Sequence, residues 1–372
     1  MKLIFVLGLL VLWSKGLGHA DGTEVVDKPN GNNVFIITLD GFRWQELFKG
    51  ADSAILNDPE FTTDSINAKA LYWHPDPAVR REKLMPFVWS VIAKQGQLFG
   101  NRKYGNKVNT KNIYAVSYPG YNEIFTGAAD PFVSTNKKIK NKNVNLLEYI
   151  NKIPEYQNHV ASFSSWNVFP YILNEERSKV YINCGYQPHT QGELTKTQMA
   201  LNALQSQPQF EDQHERSDLL TFLAAREYIL KNKPKVMHIG LGGTDSYGHQ
   251  RKYDQYLKEA NQADRIIADL WSLVQSMPCY KGNTTFIITT DHGRGNKTDT
   301  WFKHSGFVTG SSQTWIMLLG YRVKALGELK GNMQLFQKHI AGTVGYLLGV
   351  RSFSHKMLPV TSFEGENLLA AK

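Results

Sequence analysis

Apolar, β-rich runs alternating with helical patterns predict a three-layer α/β/α fold around a mostly parallel central sheet. Three observations carry this expectation. The runs Val34 to Leu39, Val160 to Ser164, Val236 to Leu241, Thr285 to Thr289 and Thr314 to Leu319 have strand length and turn signals at their ends, and continuous apolar runs suit strands covered on both faces. Between them, Met85 to Gln95, Asn145 to Ile153, Ser217 to Lys231, Tyr253 to Gln275 and Met333 to Leu348 follow helical patterns, and strands separated by helices build parallel sheets. A chain of 372 residues, 42% hydrophobic and 20% charged, also has the material for a large core and is not of disordered composition.

At the start of the chain, Lys2, the short apolar run Leu3 to Trp13 and the small residues of Gly18-His19-Ala20 read as a secretory signal peptide, residues 1–20, cleaved after Ala20. The destination expected is secreted or periplasmic. That run is too short to span a bilayer, and no later stretch is long and apolar enough. Residues 21–372 show no repeat and no clean linker, so one domain is expected. Ala51 to Leu84, rich in Asp and Pro with weak periodicity, reads as an ordered loop, and a partial cap over a cleft is expected somewhere within Asp130 to Asp218. His238, inside an apolar strand, reads as a core histidine. Cys184 and Cys279 form no CxxC pattern, which disfavours a thiolate metal site; they either pair in an oxidising compartment or stay separate thiols. The net charge of +9 loses only Lys2 and Lys15 with the signal; such a balance serves general solubility first, and a positive field also draws anionic substrates. The densest basic run, Lys137 to Lys142, reads as a solvated loop, and no nucleic-acid signature is present.

Three acidic positions follow predicted strands. Asp40 ends the first, Asp245 follows the Val236 run within Thr244-Asp-Ser-Tyr-Gly-His249, and Asp291 begins Asp291-His292-Gly293 after the Thr285 run; His304 comes shortly after. In open α/β sheets, ligands bind at the carboxyl ends of the strands. Asp and His suit borderline metals such as zinc, and two such clusters can seat two ions, a device for displacement at phosphorus. Read singly, each is ambiguous: Asp40 before Gly41 also fits a turn, and His249 also fits the start of the next helix.

Ser117 precedes Pro119-Gly120 and a short helical pattern that closes in Thr126-Gly127. It is either an N-cap or, beside the metal-type motifs, a nucleophile at a helix N-terminus, where backbone N–H groups favour an anionic oxygen. Metal coordination activates such a hydroxyl without a Ser-His-Asp triad. Tyr118 and Tyr121 either stack on a substrate ring or pack against the helix; Trp166 and Asn167 either line a pocket or pack at the surface.

Taken together, Leu39-Asp40-Gly41, Ser117, Asp245-x-x-x-His249, Asp291-His292-Gly293 and His304 resemble the alkaline phosphatase superfamily, most of all its nucleotide pyrophosphatase/phosphodiesterase branch and related secreted phosphatases. The resemblance implies a single alkaline phosphatase-like catalytic domain. It implies one ion held by Asp245, His249 and His304, and a second by Asp40, Asp291 and His292, with Ser117 Oγ also at that second ion as a metal contact. Two divalent ions are implied, zinc by ligand type, with manganese fitting the same ligands. The activity implied is hydrolysis of phosphoric esters, monoester or diester, through a phosphoseryl intermediate, with an anionic phosphoester as the partner molecule. Gly120 departs from the branch's usual Asn, which leaves Asn122 or Asn136 to bind a phosphoryl oxygen, with Asn122 and the Tyr118 N–H the candidate stabilisers of developing charge. Ser117-x-Pro119 meets half of the sulfatase pattern. The alternatives are a sulfatase-like ester hydrolase and a catalytically silent protein of the same fold that binds metal or an anionic glycan.

Overall fold

The computed structural model of the chain describes residues 31–210, 213–350, 353–354, 356–359 and 362–363; the expected signal peptide lies outside them. In chain order the strands are β1 Asn33–Leu39, β2 Gln97–Phe99, β3 Asn106–Asn109, β4 Val160–Ser164, β5 Tyr181–Cys184, β6 Val236–Leu241, β7 Thr284–Thr289, β8 Gln313–Thr314, β9 Ile316–Gly320, β10 Gly327–Glu328 and β11 Met333–Phe336. Eight of them form the central sheet in the order β10-β2-β9-β7-β1-β6-β4-β5. From β7 through β5 the pairing is parallel, and β9 runs antiparallel to both β7 and β2. A second, small sheet has the order β11-β3-β8.

Alternation along the strands divides the core in two. Phe35, Ile37 and Leu39 of β1, with Met237, Ile239, Phe286 and Ile288, pack on one face beneath the long helix Tyr253–Ser276. That helix buries Tyr253, Tyr256, Leu257, Ala260, Ala263, Ile267, Leu270 and Val274 at helical spacing. Val34, Ile36, Val236 and Ile287 point the other way, to a cluster completed by the helices Ser117–Thr126 and His339–Leu348. This is the three-layer α/β/α architecture expected of the sequence.

Four details differ from expectation. The Asp-rich stretch after Ala51 is mostly helical: Ser53–Leu56, Ser65–Tyr72 and Pro77–Leu84 start after Asp52, Asp64 and Asp76, whose carboxylates accept from backbone N–H groups of the first turns. Those aspartates are N-caps, not loop formers. The expected Met85 to Gln95 helix forms over 86–95, with Pro86 at its first helical position, but its middle, Val88–Ile92, is π-helical before Ala93–Gln95. Met333 to Phe336 pairs as β11 with β3, so the last helix begins at His339 rather than Met333. Within the stretch expected to include a cap, β5 adds an unforeseen strand to the central sheet beside the expected β4. Cys184 and Cys279 are free thiols, one buried and one exposed.

His238 is the core histidine the sequence predicts. It is fully buried, with Nδ1 2.9 Å from Ser162 Oγ on β4 and Nε2 3.0 Å from Thr38 Oγ1 on β1. Phe125 and Phe169 pack on its ring. Burial pushes its pKa down from 6.5 to about 3. The unfolded chain therefore takes up a proton below about pH 6.5 that the native state refuses until about pH 3, and stability is lost as pH falls through that window. At about 1.4 kcal/mol per pKa unit, this costs roughly 2 kcal/mol between pH 7 and pH 5. Urea midpoints at the two pH values test it: in His238→Asn the pH 7-to-5 loss shrinks by about that amount, and an unchanged loss would assign the acid sensitivity elsewhere.

Candidate metal centre

The parallel strands deliver their motifs to one edge. Asp40 follows β1 with its N–H bonded to Leu241 O of β6 at 2.9 Å. Asp245 lies in the first turn of the helix Gly243–His249 after β6, and Asp291 follows β7. Ser117 opens its helix after an extended Val116. Its Oγ lies 3.5 Å from Asp40 Oδ1 and 3.3 Å from His292 Nε2.

Two groups of ligand atoms converge, Asp40 with Asp291 and His292, and Asp245 with His292 and His304; within each, the atoms lie within 4.8 Å of one another. His249 joins the second group, its Nε2 3.0 Å from Asp245 Oδ2 and 3.1 Å from His304 Nε2. His292 Nε2 lies between the groups, 3.4 Å from Asp40 Oδ1, 3.5 Å from Asp291 Oδ2 and 3.8 Å from Asp245 Oδ1. His304 stacks on His292 with ring centroids 3.9 Å apart, and its Nδ1 is 3.1 Å from Ala115 O. All six proposed metal ligands and Ser117 are thus brought together.

The carboxylates are individually oriented. Gly41 N–H donates to Asp291 Oδ1 at 3.0 Å, and Tyr121 Oη donates to Asp40 Oδ2 at 3.1 Å. Tyr121 is buried and serves the acid rather than a substrate ring. Arg294, also buried, donates to Asp245 and to the carbonyls of Gly41 and Phe302. Two glycines make room for it: a Cβ on Gly248 would stand 2.6 Å from Arg294 Cζ, and one on Gly41, at φ +58°, 2.9 Å from its Nε. Gly120 is explained in the same way, since a Cβ there would meet Asp291 O at 2.4 Å. Close packing against the Asp291 backbone requires a glycine at this departure from the branch's pattern.

Electrostatics favour a cation. Burial raises the Asp40 carboxyl well above the usual range, and the Asp245 charge adds to this. Asp291 is raised likewise, by burial and then by Asp40. Burial works in the same direction on Asp245, but Arg294, His249 and His304 overcome it and hold that carboxyl well below the usual range. Burial and the neighbouring His292 push His304 down to about 2, the neutral form that ligates. Asp291 Oδ2 is buried without a hydrogen-bond partner. Three carboxylates, three imidazoles and an orphaned carboxylate oxygen are a donor set that fits divalent cations of the zinc type.

Asn122 is not brought to this cluster by any of its contacts. Its Oδ1 accepts from Asn141 and Asn143, and its Nδ2 donates to Ala128 O, so the buried amide clamps the 128–143 segment. Tyr118 N–H donates to Asn136 Oδ1 at 2.9 Å. Asn167 lines a cavity of about 790 Å³ with Tyr171, Tyr186 and Gln187, beside the ends of β4 and β5. Two neighbours had no marked sequence signal. Arg294 directly follows the Asp-His-Gly motif, and that adjacency is the sign that could have flagged it. Glu215, bridged to Trp166 and bonded by Ser246 Oγ, lies in a stretch without periodicity.

The donor set and its place at the strand ends define a metalloenzyme. A family model described as the Metalloenzyme superfamily matches residues 117–308, just over half of the chain, and the chain belongs to that superfamily. Among solved structures it is similar to wild-type alkaline phosphatase PafA, with TM-score 0.55 and 11% identity over 92% of this chain and 100% of that one. It is also similar to BT1596, a 2-O GAG sulfatase, with TM-score 0.52 and 11% identity over 91% and 73% of the two chains. A third likeness is to the C-terminal periplasmic domain of EcEptC from Escherichia coli, in complex with Zn, with TM-score 0.52 and 11% identity over 87% and 84%. At such identities these are likenesses of fold, shared by a phosphatase and a sulfatase alike, and they single out no branch. No curated protein matches the sequence.

Proposed function

We propose that the protein is a secreted or periplasmic two-metal hydrolase of phosphoric esters, with Ser117 as nucleophile and a phosphoseryl intermediate. The observation that carries the reading is a single hydroxyl set within 3.5 Å of Asp40 and His292, at a rim where six Asp and His side chains meet. Asp40, Asp291 and His292 would hold one divalent ion and Asp245, His249 and His304 the other, zinc by donor type and by the zinc complex of the fold relative, with manganese fitting the same donors. Bound there, such ions would supply Lewis-acid chemistry, polarising a phosphoryl oxygen and lowering the pKa of a water.

The chain's own residues prepare this chemistry. Ser117 supplies the attacking oxygen at the N-terminus of a ten-residue helix, where the dipole favours developing negative charge. Tyr121, the Gly41 N–H and Arg294 fix the orientation of Asp40, Asp291 and Asp245, so little reorganisation is left for the reaction. Asn136, exposed and held against the N–H after the nucleophile, takes the role of holding a phosphoryl oxygen in place of Asn122, whose amide is spent on its own loop.

Turnover of p-nitrophenyl phosphate, bis-p-nitrophenyl phosphate and p-nitrophenyl sulfate, after chelation and after return of zinc or manganese, tests the reading. The expected result is turnover of at least one phosphate ester, lost on chelation and restored by metal. Turnover of the sulfate ester alone would make the protein a sulfatase-like hydrolase. No turnover of any ester by the metal-loaded protein would favour the silent binding protein.

A further inference from the structure

The loops around the metal centre carry side chains that the chemistry does not use. Phe307 and Phe132 are 102% and 92% exposed, and Ile113 and Ile139 are 74% and 61% exposed. Isolated apolar residues on a surface are ordinary, but these are gathered. Ile113 lies four positions before Ser117, and Phe307 three positions after His304. The two loops touch, since a Cβ on Gly306 would stand 2.1 Å from Ile113 O. Tyr114 Oη bonds Pro131 O, next to Phe132, at 2.5 Å. Tyr118, the neighbour of the nucleophile, bonds Ile139 O through its hydroxyl at 2.6 Å. Phe132 and Ile139 share one concavity with Lys137, Lys140 and Lys142, and Ile113 shares another with Lys111, Lys338 and Lys356. Few acids oppose these lysines: Asp130 is engaged by Asn143 and the Phe132 N–H, and Glu176 pairs with Lys140.

We infer that this rim is a docking surface for an anionic lipid bilayer, with the aromatic and isoleucine tips entering the interface and the Lys137–Lys142 run meeting lipid headgroups. Protruding apolar side chains flanked by lysines have the composition of peripheral membrane contacts, and each lysine near an anionic surface adds to attraction that salt screens. A second copy of this chain fits the patch poorly, because it would present the same basic run to itself in a chain with 42 Lys and Arg against 33 Asp and Glu. Among the described residues no helix is long and apolar enough to cross a membrane, so the contact proposed is superficial. If the hydrolase reading holds, docking places the mouth of the site against the headgroup layer, and the substrates reached there are phosphoesters carried by lipids; that consequence rests on the catalytic reading, whereas the docking does not.

Co-sedimentation with phosphatidylcholine vesicles, with and without about one third phosphatidylserine, is the test. The expected result is binding to the anionic vesicles that weakens markedly in about 0.5 M salt. Phe132→Ser/Phe307→Ser and, separately, the change of Lys137, Lys138, Lys140 and Lys142 to Gln should each weaken binding about tenfold or more. Circular dichroism should be unchanged, as should turnover of a small soluble ester where there is any. Absence of binding by the wild-type protein would overturn the inference, as would equal binding by both variants. So would a wild-type dimer that the Phe variant makes monomeric without any vesicle binding. Vesicle binding is read without catalysis, so failure of the hydrolase reading and failure of this one are distinguishable.

Discussion

Ser117→Ala is expected to lower kcat on the best phosphate ester by about a thousandfold or more while leaving the metal content intact. Ser117 Oγ stands at the edge of the Asp and His cluster, 3.5 Å from Asp40 and 3.3 Å from His292, and both of these have other bonds that orient them, from Tyr121 Oη to Asp40 and between His292 Nδ1 and Gly293 O. Asp40 keeps its bond from Tyr121, and Asp291 keeps its bond from Gly41 N–H. The helix is not capped by the Ser117 side chain, since Val116 occupies the N-cap position, so the truncation costs little stability. A fall in kcat with little change in KM would mark an interaction made in the transition state. Acid quenching of the wild-type reaction should trap phosphate on the protein and quenching of the variant should not. Equal turnover by the variant would remove the covalent mechanism, and loss of metal from it would mean that Ser117 is a ligand first and a nucleophile second.

The strand-end motifs were legible because each couples a strand pattern to a residue type that a strand end rarely needs for packing. Asp40, Asp245 and Asp291 follow β1, β6 and β7, which are adjacent in the sheet, and adjacency converts wide sequence separation into contact. The five long runs gave the strands at the sheet's centre. The short strands β2, β3, β5 and β10 were missed because two to four residues carry no usable period, and their pairing is decided by tertiary contact. Met333 to Phe336 reads as helix for the same reason: its apolar residues suit either period, and the partner strand β3 settles the choice. Asn122 shows a different limit. A polar residue five positions after Ser117 fits an oxygen-binding role by spacing, yet its amide is satisfied within its own loop. Hydrogen-bond partners of a buried amide cannot be read from composition. Arg294 is the converse, a charge beside a recognised motif whose role depends on the slot opened by Gly41 and Gly248.

Asp291→Asn should separate the two duties of the ligand cluster, folding and metal binding, with opposite signs. In the metal-free protein, Asp291 is a buried carboxylate whose Oδ2 accepts no hydrogen bond and whose pKa is raised by burial and by Asp40 against the lowering effect of His292. A carboxyl raised in the native state is bound to its proton more tightly there than in the unfolded chain, so its charge weakens the fold as pH climbs above the unfolded value near 4. Asparagine has nearly the same shape and retains an oxygen that can accept from Gly41 N–H, without the charge. The variant should therefore be more stable than metal-free wild type at pH 8, by about 1 to 3 kcal/mol, with the advantage vanishing toward pH 4. Zinc reverses the order. A ligand that binds only the native state stabilises by its binding free energy, so the wild type should gain sharply in Tm on adding zinc while the variant gains little. Turnover in the variant should fall by about a hundredfold or more, since a carboxylate that would hold an ion beside Ser117 is gone. Thermal unfolding with and without metal at pH 5 and pH 8 checks all of this. Were metal-free wild type the more stable protein at pH 8, the cluster would be held together by contacts among its own side chains, and these buried acids would not be built as cation ligands.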